Sequence, residues 1–143
     1  MKFGCTGNIG ASPERVWAVV SRFEDWPRWV ASLKSVEQLT PGPLRSGCEF
    51  CIRVRSIPPV SLRMTITEYR PGESVILEGR ILGTRLVRYY SLERMGNRTK
   101  LIAGGDAHGP LAWLVCRVGQ RLNRQIVQGI KTWVETTRDT QGT

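Results

Sequence analysis

Hydrophobic and polar residues along this chain follow two different spacings, which divide it into two kinds of element. Over 109–138 the apolar residues recur at steps of three and four, which places them on one face of an α-helix. Over most of 34–107 apolar and polar residues alternate, in short segments separated by turns that contain proline or glycine. The pattern therefore predicts a set of short strands followed by one long C-terminal helix.

The predicted helix begins near Pro110, because a proline in the first turn of a helix loses no hydrogen bond. About 28 residues at the helical rise extend roughly 40 Å, which is enough to cross a small domain. Gly129 lies on the same predicted face as Leu122 and Trp133. Two interpretations of this glycine stay open: it leaves room for a cavity beside the helix, or it permits close backbone packing against a neighbouring strand.

Alternation is most regular in 60–67, where Leu62, Met64 and Ile66 face one way and the residues between them face the other. This pattern is typical of an antiparallel strand with one buried face. The connections between the segments are too short for parallel crossovers, so the segments form a meander. The predicted strands are 34–39, 48–55, 60–69, 74–82, 85–94 and 98–107.

The N-terminal part of the chain adds a strand over 2–9 and two short helices. Ser12 and Pro13 predict the beginning of the first helix, and Asp25 predicts the beginning of the second. A sheet with one apolar face needs a cover, and only the C-terminal helix is long enough to provide it. The sequence thus predicts an α+β fold of one domain, 1–143, in which a curved seven-stranded antiparallel sheet surrounds the long helix.

Charge and composition narrow the classes of function. The formal net charge is +9, but the basic residues are scattered and form no nucleic-acid-binding motif, so we expect no dedicated nucleic-acid partner. No apolar run is long enough to span a membrane, and the N-terminus lacks the apolar core of a signal peptide, so we expect a cytoplasmic location. Cys48 and Cys51 lie in a predicted strand and point to opposite faces, which fits neither a redox pair nor a zinc site. We therefore expect no metal.

Several segments carry a family resemblance that spans nearly the whole chain. They are 9–17 (IGASPERVW), 23–29 (FEDWPRW), 67–72 (TEYRPG), 90–93 (YSLE) and 96–101 (GNRTKL). Together with the order of the elements, they resemble the START/pollen-allergen-like superfamily, which includes polyketide cyclase/dehydrase and lipid-transport proteins. The resemblance implies the helix-grip fold, in which the sheet and the long helix enclose an apolar cavity.

Two functions follow from this resemblance, and both stay open. The first is binding of a small hydrophobic molecule, of the lipid, isoprenoid or polyketide type, in the cavity and without a cofactor. The alternative is a polyketide cyclase, aromatase or dehydratase that needs neither metal nor nucleotide and uses polar groups in the same cavity. The superfamily contains both binding proteins and enzymes, so the fold does not decide between them.

Candidate ligand-binding residues follow from placing the predicted apolar faces around the implied cavity. Trp29 lies in the short-helix segment that often borders the entrance in such proteins. For every candidate, ordinary packing in the core is the alternative explanation. The candidates are Trp29, Leu62, Met64, Ile66, Tyr90, Leu92, Leu111, Val115, Val118, Leu122, Ile126, Gly129 and Trp133.

Candidate catalytic residues lie in the last two predicted strands. Asp106 and His108 share a face if the last strand extends as far as His108, and a His–carboxylate pair can act as a general base. In the preceding strand, Arg85 and Tyr89 share one face. The pattern does not show which face is interior, and exposure to solvent is the alternative for all four residues. On the other face of that strand lie Arg88 and Tyr90.

The outer face of the predicted C-terminal helix is basic. It carries Arg117, Arg124, Lys131 and Arg138. Such a face permits weak contact with an anionic membrane surface, and an ordinary solvated face is the alternative. No pattern in the sequence predicts an oligomeric state.

Overall fold

A computed structural model describes residues 1–55 and 59–141, with the side chains of 137–141 excluded. Pro58 of an expected turn and the side chain of Arg138 lie outside the described residues. The elements are, in chain order, β1 (Lys2–Ile9), α1 (Pro13–Val20), a 3₁₀ helix (Phe23–Arg28), β2 (Leu33–Gln38), β3 (Glu49–Val54), β4 (Val60–Arg70), β5 (Ser74–Ile81), β6 (Thr84–Met95), β7 (Arg98–His108) and α2 (Ala112–Gln141).

The seven strands form one antiparallel sheet in the order β1-β7-β6-β5-β4-β3-β2. Strands β2 to β7 form the predicted meander, and β1 pairs with β7 at its far edge. The register shifts between Leu33 and Ser35 and between Ile66 and Glu68. Such irregularities increase the local twist and bend of a sheet. The result is the curved sheet around a long C-terminal helix that the sequence predicts, an α+β helix-grip fold.

Alternation along the strands decides which side chains face the helix. In β4, Leu62, Met64 and Ile66 are buried while Arg63 is exposed, as the sequence predicts. In β6, Leu86 and Tyr90 are buried on the same side as the interior of β4. The concave face of the sheet is therefore apolar along its length, and α2 packs on it mainly through β1 and β7.

The buried stripe of α2 is rotated relative to the predicted face. Val118 and Trp133 are exposed, whereas Ile130 and Val134 are buried. The predicted face was chosen from the largest apolar side chains. The buried face includes a polar residue, Asn123, which interrupts its apolar spacing. The buried positions are Val115, Cys116, Gly119, Leu122, Asn123, Ile126, Val127, Ile130 and Val134. No helix in the described part of the chain is long and apolar enough to cross a membrane.

The four cysteines are free thiols, and Cys48 and Cys51 form no disulfide. Cys48 is buried next to the carbonyl of Pro43, while Cys51 lies near the hydroxyl of Ser61. Within the described residues, no group of three or more His, Cys, Asp or Glu side chains is placed to hold a metal ion.

Gly129 permits close packing and does not leave a cavity. A Cβ at this position would lie 2.6 Å from the backbone oxygen of Trp29 and 2.7 Å from its ring. The Trp29 ring then lies against that of Trp133, with centroids 5.1 Å apart. The second interpretation of the glycine is therefore the right one, although its neighbour is the segment after the 3₁₀ helix and not a strand.

Substitution of Gly129 by alanine tests this packing, because two effects oppose each other. Helix propensity alone would stabilise the alanine variant by about 1 kcal/mol. A methyl group that meets backbone cannot be accommodated by a side-chain rotation, and overpacking of this kind costs about 1–3 kcal/mol. We expect Gly129→Ala to lower the free energy of unfolding measured with urea. The control Gln128→Ala, at an exposed neighbouring position, is expected to change it by less than about 0.5 kcal/mol. A stabilised Gly129→Ala protein would contradict the packing account.

Candidate ligand-binding site

A cavity of about 180 Å³ lies between the concave face of the sheet and the first half of α2. Its walls are apolar side chains from β2 to β6, from the 3₁₀ helix and from α2. An engineered apolar cavity of about 150 Å³ holds benzene. This cavity is therefore large enough to enclose a ring or a short alkyl chain.

Arg88 is the one charged side chain among the described residues that line the cavity. It projects from the interior side of β6 and is only 6% exposed. Its Nη2 donates a hydrogen bond to Oδ1 of Asn123, which lies in the middle of α2, and Asn123 Nδ2 donates to the carbonyl of Ala103, 3.4 Å away. The Arg88 Nε–H is buried and has no hydrogen-bond partner in the described part of the chain.

Aromatic rings complete the surroundings of this guanidinium. Its central carbon lies 5.5 Å from the ring centroid of Phe3 and 5.5 Å from that of Tyr90. Cation–π contacts contribute about 0.5–2 kcal/mol each. A Cβ at Gly105 would lie 2.4 Å from the Phe3 ring, and one at Gly119 would lie 2.6 Å from it. The Phe3 ring therefore fits beside Arg88 because Gly105 on β7 and Gly119 on α2 have no side chains.

Tyr90 and Trp26 line the cavity next to Arg88. Their rings meet edge to face, with centroids 5.1 Å apart. Burial raises the pKa of Tyr90 above its ordinary value, and the positive charge of Arg88 offsets part of this rise. The Tyr90 hydroxyl therefore stays protonated at neutral pH. Trp26 Nε1–H, like the Nε–H of Arg88, is buried without a hydrogen-bond partner among the described residues.

The cavity opens between the β5–β6 turn and the beginning of α2. Leu82 on the turn and Leu114 and Val118 on the helix line the cavity but are exposed to solvent. We call these three residues the mouth. Thr84 holds its two sides together, because its Oγ1 accepts a 3.0 Å hydrogen bond from the backbone N–H of Leu111.

The sequence of this chain matches a known protein family over most of its length. The family described as polyketide cyclase / dehydrase and lipid transport matches residues 6–135. The chain belongs to this family. Among curated proteins, none matches this chain significantly in sequence.

Solved structures of low sequence identity share the fold of this polyketide cyclase/dehydrase and lipid-transport family member. A START superfamily protein from Mycobacterium smegmatis has 18% identity and a TM-score of 0.77, over 95% of this chain and 98% of that chain. Zhui aromatase/cyclase from Streptomyces sp. R1128 has 11% identity and a TM-score of 0.82, over 98% and 95%. Ara h 8.0201 has 14% identity and a TM-score of 0.76, over 95% and 98%. At these identities the similarity concerns the fold alone.

The structure separates the predicted ligand-binding residues of this family member into three groups. Ile66 and Leu92 belong to the packed core and do not line the cavity, while Trp29, Gly129 and Trp133 lie in a separate open groove between β1 and α2. Trp29 does not line this cavity, because the chain turns toward α2 after the 3₁₀ helix and the Trp29 ring lies against Trp133. The predicted residues that line the cavity are Leu62, Met64, Tyr90, Leu111, Val115, Val118, Leu122 and Ile126.

The four catalytic candidates all lie on the outer face of the sheet. Arg85 is exposed and pairs with Glu78, while the Tyr89 ring lies across the backbone of Gly104. Asp106 accepts a 3.1 Å hydrogen bond from the N-terminal ammonium group, and its Oδ2 lies 3.1 Å from Nε2 of the exposed His108. The ammonium group and His108 lower the pKa of Asp106. None of the four lines the cavity, so the geometry does not support a catalytic role for them.

Sequence reasoning missed two cavity features. Trp26 was read only as part of a helix-starting segment, although its position three residues after Phe23 repeats along one side of a 3₁₀ helix. Asn123, the partner of Arg88, was not among the candidates because it is polar. Its spacing of four residues from Gly119 and three from Ile126 places it on the buried stripe, and this signal could have identified it.

A double-mutant cycle tests the contact between Arg88 and Asn123. A hydrogen bond to a charged group contributes about 1.5–3 kcal/mol, and its loss leaves the buried guanidinium without this acceptor. We expect Asn123→Ala to lower the free energy of unfolding by about this amount. In an Arg88→Met background the same substitution is expected to lower the free energy of unfolding by less, because no buried charge then needs the Asn123 oxygen. Equal costs in the two backgrounds would show that the side chains are not coupled.

Proposed function

We propose that this protein binds a small amphipathic ligand, with an apolar body in the cavity and an oxygen-bearing group, such as a carboxylate or a carbonyl, at Arg88. The observation that carries the proposal is a buried guanidinium with an unpartnered Nε–H in an otherwise apolar cavity. The family supports hydrophobic ligands of the lipid, isoprenoid or polyketide type, and the polar group adds a requirement that a pure hydrocarbon does not meet.

The charge distribution favours an anion over a neutral group. The described residues that line the cavity include no carboxylate, so nothing there neutralises Arg88. Asn123 supplies only a neutral amide oxygen. In a site of low dielectric constant, a positive charge attracts an anion more strongly than it does in water. Trp26 Nε1–H and the Tyr90 hydroxyl lie nearby to donate further hydrogen bonds.

Calorimetric titration with octanoate and with 1-octanol tests the proposal, because the two probes share an alkyl chain and differ in the head group. We expect the wild-type protein to bind octanoate more tightly. Arg88→Met is expected to weaken octanoate binding by about tenfold or more, since charged hydrogen bonds are worth about 1.5–3 kcal/mol. Octanol affinity is expected to change much less.

Arg85→Met is the matched control, because Arg85 lies three residues earlier in β6 but on the outer face and makes an ion pair with Glu78. It removes the same charge and is expected to leave both affinities unchanged. Leu122→Trp fills the cavity from α2 and is expected to abolish binding of both probes. Octanoate binding that persists in Leu122→Trp, or that falls equally in the two arginine variants, would place the ligand elsewhere and refute the proposal.

A second candidate function, cyclisation or dehydration of a polyketide-type substrate, rests on the neutral hydroxyl of Tyr90 beside Arg88. Two such donors can stabilise negative charge that develops on a carbonyl oxygen, and removing one donor from such a site lowers kcat about 10²-fold. We expect any turnover of a poly-β-keto thioester by this protein to fall by about this factor in Tyr90→Phe, with little change in KM. Turnover that is unchanged in both Tyr90→Phe and Arg88→Met would exclude this chemistry from the cavity.

A further inference from the structure

The surface around the mouth of the cavity carries several exposed apolar side chains. Leu82 is 76% exposed at the tip of the β5–β6 turn, and Trp113 is 55% exposed in the first turn of α2. Leu114 and Val118 lie beside Trp113 on the same helix and are exposed as well. Contiguous apolar side chains on a surface mark an interaction site more often than single exposed ones do.

The backbone at Leu82 adds a second observation. Leu82 has φ +49°, and it is the one non-glycine residue with positive φ in the described part of the chain. Asparagine or glycine suits this conformation better than leucine. Burial of the Leu82 side chain compensates for little of this strain, because the side chain is mostly exposed. Folding alone therefore does not explain a leucine at this position.

Basic residues accompany the apolar ones. Arg117 and Arg121 are exposed on the turns of α2 that follow Trp113, and Arg80 is exposed two residues before Leu82. None of the three forms an ion pair with a described residue. The segment 109–134 contains no Asp or Glu, so nothing in this part of α2 opposes its positive charge.

The two sides of this surface are fixed relative to each other. Thr84, directly after the β5–β6 turn, is fully buried and accepts the hydrogen bond from the N–H of Leu111 at the beginning of α2. Gly109 approaches the same strand so closely that a Cβ would lie 2.7 Å from Thr84 Cα. Leu82 and Trp113 are therefore presented together on one rigid rim.

We propose that this rim, formed by Leu82, Trp113, Leu114 and Val118 with Arg117 and Arg121, docks onto the surface of an anionic lipid bilayer, from which the ligand enters the cavity. Exposed Trp and Leu side chains partition into the interfacial layer of a membrane, and nearby arginines bind lipid phosphates. The inference rests on the proposed binding of an apolar ligand, because the cavity opens within this surface. A second copy of the chain is a poor occupant, since its like charge of +9 repels.

Vesicle co-sedimentation of the full chain tests the charged part of the surface. The probes are phosphatidylcholine vesicles and vesicles of phosphatidylcholine mixed with phosphatidylglycerol. We expect preferential binding to the anionic vesicles. We expect Arg117→Gln/Arg121→Gln to bind them about 30-fold more weakly, because each arginine near such a surface raises the affinity about fivefold. The control Arg98→Gln/Lys100→Gln has the same net charge but lies near the β6–β7 turn, at the opposite end of β6 from Leu82, and it is expected to bind nearly as well as the wild type. Equal losses of vesicle affinity in the two double variants would mean that binding depends on net charge alone, and would overturn the proposal.

The apolar part is tested with Leu82→Asn and Trp113→Gln. Asparagine accepts positive φ, so Leu82→Asn is expected to fold normally. Each substitution is expected to weaken binding to the anionic vesicles by about tenfold, since each removes a side chain that the membrane interface buries. Trp133→Gln, at an exposed tryptophan of the same helix outside the mouth, is expected to have little effect. Unchanged binding in both Leu82→Asn and Trp113→Gln would overturn the proposal.

Octanoate titration of Trp113→Gln and Arg117→Gln/Arg121→Gln in the absence of vesicles keeps this inference separate from the proposed function, because these substitutions change no residue that lines the cavity. Reduced vesicle binding with normal octanoate affinity supports a docking surface distinct from the cavity. A wild-type protein that binds octanoate but not anionic vesicles would refute the docking surface and leave the cavity proposal standing. A wild-type protein that binds vesicles but neither octanoate nor octanol would refute the proposed function, and with it the transfer of a ligand from the bilayer.

Discussion

A buried guanidinium is the group on which the arrangement of the interior depends. Transferring a charge out of water is costly unless polar groups replace the lost hydration. For Arg88 these groups are the amide oxygen of Asn123 and the faces of Phe3 and Tyr90, with no carboxylate among them. The positive charge therefore remains uncompensated inside an apolar space. It also joins three elements that are distant in sequence, since β1, β6 and α2 each contribute to its environment.

Phe3 shows how the two ends of the described chain depend on each other. Its ring fits between β7 and α2 only because Gly105 and Gly119 lack side chains there. The ring in turn covers one side of Arg88. Helix and sheet therefore approach closely at this point, and Gly119 and Arg88 beside the ring also line the cavity. One contact of small residues thus determines how the helix packs next to the cavity.

The strands could be predicted from the sequence almost to their ends, because alternation and turn residues are local properties. The interior face of β6 could not, since each face carries an arginine and a tyrosine: Arg85 and Tyr89 on one, Arg88 and Tyr90 on the other. Only pairing with neighbouring strands decides which pair is buried. The face of α2 was misjudged for a related reason. Asn123 is polar yet buried, because its partner is the charged Arg88 on β6. A contact with a residue so distant in sequence cannot be predicted from the spacing of apolar residues in the helix.

The unpartnered donors connect stability with specificity. Arg88 Nε–H and Trp26 Nε1–H are buried without acceptors, and each such group lowers the stability of the empty protein. A ligand that supplies oxygen acceptors removes this cost on binding, in addition to burying its apolar body. A ligand of the same shape without oxygen fills the cavity but leaves both donors unpaired. Sites built in this way reject the analogue that lacks the polar group more strongly than apolar contacts alone would. Because binding also stabilises the folded state by mass action, ligands with an acceptor should stabilise the protein against unfolding more than hydrocarbons of equal size do.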